Sequence, residues 1–76
     1  MQANKTLDCF GLLCPVPIIK MKKEIDKMQA GEVLEVLATD PGIEPDTQNW
    51  CKMTGHEYLG VEKKGEEIKV YVKKIK

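Results

Sequence analysis

The groups in this chain able to do covalent chemistry near neutral pH are three thiols, Cys9, Cys14 and Cys51, and one imidazole, His56. Cys14 has the most telling neighbours. The stretch Gly-Leu-Leu-Cys-Pro-Val-Pro-Ile-Ile-Lys, residues 11–20, sets a thiol before two prolines and runs into apolar residues at helical spacing. With Cys14 as N-cap, Pro15 takes the first helical position and Pro17 the third, both in the turn whose N–H groups have no intrahelical partner. The prolines then fix the first turn and leave the N–H groups of Val16 and Ile18 free to face the sulfur at the positive end of the helix dipole. A thiol so placed can fall from about 8.5 to between roughly 3.5 and 7.5, and the thiolate is the form that attacks sulfur or binds metal. From the residues alone two readings stand: a reactive thiolate, or a small apolar residue packed where a helix begins.

The other candidates are weaker. Cys9 sits at a strand end five residues before Cys14, where a glycine turn could bring the two together as attacking and resolving thiols; its plain alternative is packing. Cys51 follows Trp50 on the apolar face of a helix, where burial makes an inert thiol, and His56 follows a helix stop as a turn residue. No Cys or His repeats at two-residue spacing, so neither a zinc module nor a thioredoxin-type dithiol is signalled, although Cys9 and Cys14 could still form a redox or metal pair. The odd count of three suggests free thiols in a reducing compartment.

Seventy-six residues make a single domain, residues 1–76, with a small core. Residues 6–10 read as a first strand; Ile18, Met21, Ile25 and Met28 then mark one stripe of a helix that ends at Gly31. Residues 32–39 are rich in branched side chains, as in a covered central strand, and Asp40-Pro41-Gly42 makes a turn. Ile43, Thr47, Trp50, Cys51 and Thr54 share one helical face, with Gly55 placed to terminate. Leu59 and Val61, then Ile68, Val70 and Val72, alternate with polar residues across Lys64-Gly65, describing a hairpin with one wet face. The order β-α-β-α-β-β predicts an α/β two-layer sandwich: a four-stranded mixed sheet, its first two strands parallel through a right-handed crossover, with two helices on one face.

Charge and hydropathy narrow the function. Twelve Lys and Arg balance twelve Asp and Glu, which disfavours direct nucleic-acid binding. No run resembles a signal peptide or approaches the roughly 18 apolar residues of a membrane span, so a cytoplasmic, soluble chain is expected. Lys20, Lys22, Lys23 and Lys27 could form a basic flank for an acidic protein partner; a solvated helix face is the plain alternative. A protein- or RNA-binding module remains a third class, because a small sandwich by itself decides nothing.

Leu7-Asp8, Gly11-Leu12, Cys14-Pro15-Val16-Pro17, Gly31-Glu32, Asp40-Pro41-Gly42, Trp50-Cys51 and Gly55-His56-Glu57 together resemble the TusA-type, or SirA-like, sulfur-carrier family over nearly the whole chain. Cys9 departs from the commonest pattern between the Asp and the Gly. The resemblance implies the sandwich derived above and a persulfide carried on Cys14, with no cofactor and without turnover by the carrier alone. It implies donors such as a cysteine desulfurase or rhodanese and acceptors such as a DsrE-type relay protein. Thiolation of tRNA, a selenium-related pathway or a thiosulfate permease are the contexts it suggests. On this reading Leu12, Leu13, Pro15, Val16 and Pro17 form an apolar collar for partners, flanked by Lys20 and Lys23. Asp8 accepts backbone hydrogen bonds that, with Gly11, shape the turn, while Cys9, outside the family pattern, stays a candidate resolving thiol by its spacing from Cys14, with packing as the alternative.

Overall fold

The computed structural model describes residues 3–13 and 16–75. Among them the chain forms β1 (Lys5–Cys9), α1 (Val16–Asp26), β2 (Val33–Ala38), α2 (Ile43–Thr54), β3 (Glu57–Lys64) and β4 (Glu67–Lys73). The sheet order is β1-β2-β4-β3, with β1 and β2 parallel and the other two pairings antiparallel. This is the expected mixed four-stranded sheet, with β2 and β4 central.

Alternation along each strand sorts side chains between two faces. Leu34, Val36 and Ala38 of β2 stand beside Val72, Val70 and Ile68 of β4, and Leu7 and Cys9 of β1 stand beside Val36 and Ala38. Against this face both helices lay their apolar stripes, Pro17, Met21 and Ile25 from α1 and Ile43, Thr47 and Cys51 from α2. All but the proline and the threonine join one hydrophobic cluster, so both helices cover the same face. No described helix is long and apolar enough to cross a membrane.

Two details differ from the expected pattern. α1 ends at Asp26 instead of Gly31, because Lys27 and Met28 donate to Glu24 O and Ile25 O, three residues back, at 3.1 and 3.0 Å. The tightened turn still drops Met28 into the core. In β3 the pairing slips between Tyr58 and Gly60, so Tyr58 and Val61, rather than Leu59 and Val61, pack on the core. An extra residue in one strand reverses the alternation on its far side.

The hairpin's second face is wet except at Tyr71, which is 2% exposed. Its hydroxyl donates to Glu35 Oε2 at 2.8 Å and stands 3.4 Å from Glu62 Oε2, while Thr6 Oγ1 donates to Glu35 Oε1 at 3.1 Å. The bond to Glu35, with burial and the two negative charges, pushes the Tyr71 hydroxyl up to about 12.

Candidate functional site in the connection from β1 to α1

A parallel pair must be joined by a crossover, and here its first half is the short passage from Cys9 to Val16. Asp8 Oδ1 accepts the Phe10 N–H at 2.9 Å, and the Leu12 N–H donates to Cys9 O at 3.2 Å. Gly11, at φ 77°, turns the chain and donates its N–H to Thr39 Oγ1 at 3.1 Å, tying the passage to the end of β2. Thr39 carried no sequence signal for this role, because the bond closes 28 residues of chain. The Val16 N–H donates to Leu13 O at 3.0 Å and is therefore not free, contrary to expectation. Cys14 and Pro15 lie outside the described residues.

The flanking apolar side chains divide. Leu12 is half-buried and packs on the core, and Pro17 is buried outright. Leu13 is 71% exposed and Val16 40%, joined by Ile19 at 52% and Phe10 at 39%. Ile19 was missed although its signal is present: Ile18 and Ile19 lie about 100° apart around a helix, so one of them must leave the core-facing stripe. Lys20 and Lys23 are exposed on α1. Beside Phe10 and Thr39 an open groove of about 580 Å³ extends to Lys64, Glu66 and Glu67 of the hairpin.

The other thiols are in the core. Cys9 is fully buried, and burial raises its pKa; the nearby Lys20 ammonium works against that rise and Asp8 adds to it. Cys51 is 4% exposed, and burial pushes its thiol up to about 11. A neutral thiol is a poor nucleophile, so both positions favour packing over attack. His56 Nδ1 accepts the Ile75 N–H at 3.3 Å, and its ring lies 5.4 Å from that of Trp50, tethering the chain end to α2. Among the described residues no three His, Cys, Asp or Glu side chains cluster to hold a metal ion.

A model of the family described as Sulfurtransferase TusA matches residues 5–74. YrkF of Bacillus subtilis is 50% identical over 97% of this chain, but the chain spans only 40% of its length. YrkI of the same organism is 39% identical, with 97% of this chain and 99% of the relative aligned. The sulfur carrier protein TusA of Allochromatium vinosum is 39% identical over 93% of each chain. The crystal structure of a SirA-like protein from Desulfitobacterium hafniense superposes with a TM-score of 0.80 at 27% identity, covering 95% of this chain and 99% of that one. With its sheet order, its two one-sided helices and a family match running from β1 to the residue after β4, the chain belongs to the TusA family.

Proposed function

We propose that the chain is a sulfur carrier whose Cys14 thiolate takes sulfane sulfur from a donor persulfide and yields it to an acceptor thiol. One observation carries the assignment to Cys14: Cys9 and Cys51 are core residues with raised pKa values, whereas Cys14 belongs to a connection bounded by the exposed Leu13 and Val16. The family relationship supports the class of cargo. In loading, the Cys14 sulfur bonds to the outer sulfur of a donor R–S–SH as the donor's own S–S bond breaks. The donor cysteine leaves as a thiolate, and the outer sulfur keeps its oxidation state and loses its proton to water as the perthiolate forms. Delivery repeats the step with the acceptor thiolate as nucleophile. No net redox change occurs.

Leu13, Val16, Ile19 and Phe10 supply apolar surface beside the connection for donor and acceptor proteins, with a cysteine desulfurase or rhodanese as donor and a relay-protein cysteine as acceptor. The burial of Cys9 favours a carrier with one working cysteine over one that releases sulfide through an internal disulfide. Incubation with a small-molecule persulfide, followed by intact-mass measurement, tests the assignment. The parent, Cys9→Ala and Cys51→Ala gain one sulfur atom and Cys14→Ser gains none. Equal loading of Cys14→Ser sinks the proposal.

A further inference from the structure

We infer that the outer face of α1 and the tip of the β3–β4 hairpin are the oppositely charged ends of one docking surface. It takes a protein face with an apolar centre, carboxylates at one end and basic groups at the other. That this partner gives or receives sulfur rests on the carrier reading; the surface itself does not. Helical spacing puts Val16, Ile19, Lys20 and Lys23 within about 100° of one another around α1, and all four are exposed. They lie opposite the buried stripe of Pro17, Met21 and Ile25. This face therefore starts apolar and turns cationic one turn later. Lys20, Lys22, Lys23 and Lys27 form no ion pair among the described residues. Of the two carboxylates on α1, Glu24 is engaged by Lys5 at 3.1 Å, which leaves Asp26 in the last turn.

From Val16 the apolar surface runs back to Leu13, whose carbonyl accepts the Val16 N–H. Phe10, exposed three residues earlier, lines the groove that reaches Lys64, Glu66 and Glu67. A second open groove, of about 540 Å³, shares Thr39 and Glu66 with the first, so Glu66 stands where two clefts meet. Neither Glu66 nor Glu67 forms an ion pair among the described residues. Lys63 is held by Glu44 at 2.8 Å, and Lys64, opposite Glu67 in the hairpin register, is the cation left to offset the pair. The tip is thus acidic where the helix face is basic. An exposed apolar strip between unpaired charges of opposite sign fits a face of reversed polarity: the strip supplies affinity and the charges set orientation. A polyanion such as a nucleic acid or an anionic membrane would be held at α1 and repelled at Glu66 and Glu67.

The probe is a synthetic peptide of three successive blocks, glutamates, leucines and lysines, with a nitroxide at one end or the other; amide spectra of the isotope-labelled protein are the readout. The nitroxide at the glutamate end broadens Lys20 and Lys23, and the one at the lysine end broadens Glu66 and Glu67. K20E/K23E weakens binding about tenfold at low salt and less at high salt, as exposed pairs do. Leu13→Ser weakens it at both. Exchanging the ends, K20E/K23E/E66K/E67K, restores affinity and swaps the two broadening patterns. The inference is overturned if the peptide perturbs neither end, if both nitroxides broaden the same residues, or if the exchanged protein keeps the parent's pattern. Loading by a small-molecule persulfide, read by mass, is scored separately. A parent that orients the peptide but takes no sulfur refutes the carrier reading, whereas a parent that loads but does not orient the peptide refutes only the docking surface.

Discussion

α2 enters with carboxylates at hand: Glu44 and Asp46 stand in its first turn, and Asp40 Oδ1 accepts the Gly42 N–H at 3.0 Å just before it. The first turn of α1 has no acidic residue, and its first residue, Val16, is exposed, as is Leu13 before it. In the core the helices are alike, each burying a stripe against the same sheet face. They differ where they begin. A helix that supplies its own anions is complete as structure; one that leaves its positive end without them suits an anion carried as cargo. α2 closes equally conventionally, on Gly55 at φ 87° with its N–H on Cys51 O at 2.8 Å.

The largest effects should show the helices to be equivalent. Ile25→Ala on α1 and Ile43→Ala on α2 each remove a fully buried side chain. Each is expected to cost about 2–5 kcal/mol in chemical denaturation. A loss on one helix alone would break the equivalence of their cores.

The next effect reads the core thiols through pH. Cys51 has a folded pKa of about 11 against an ordinary 9.0, so the fold favours its neutral form. Stability from this group is whole below about pH 9 and declines as pH rises through about 11, because the unfolded chain releases its proton first. Cys9 adds in the same direction. The alkaline loss should be on the order of 2 kcal/mol and should flatten in Cys51→Ala; a curve of the same steepness in that variant would remove the thiol as its cause.

The smallest effect bears on the helix starts themselves. Val16→Asp gives α1 the first-turn carboxylate that α2 already has, at a position 40% exposed. Thermal stability should rise by about 0.3–1 kcal/mol from the dipole, while alkylation of Cys14 slows because the new anion opposes its thiolate. Faster alkylation would mean that the open start of α1 is not tuned for negative charge.

Much of this was legible without coordinates because it is written in local patterns. The stripe of Met21 and Ile25 announced α1, Gly55 announced the end of α2, and Pro17 marked a first turn. The alternation of Ile68, Val70 and Val72 announced a strand with one covered face. The candidate site was proposed from a thiol before two prolines, an arrangement that spans four consecutive residues, 14–17. Lost were features that depend on partners distant in the chain: the bulge that exchanges Leu59 for Tyr58, and the bond from Gly11 to Thr39.

By itself the sequence determined the order of elements, the one-sided sandwich and the position of Cys14 between β1 and α1, because periodicity, turn chemistry and proline placement act over a few residues. Only the tertiary structure decided the strand order β1-β2-β4-β3, the complete burial of Cys9 and the bond that ties Gly11 to Thr39. Each of these joins residues that no local pattern relates. Water is excluded from Cys9 because the cluster built by α1, α2 and the sheet closes over it, and that burial raises its pKa.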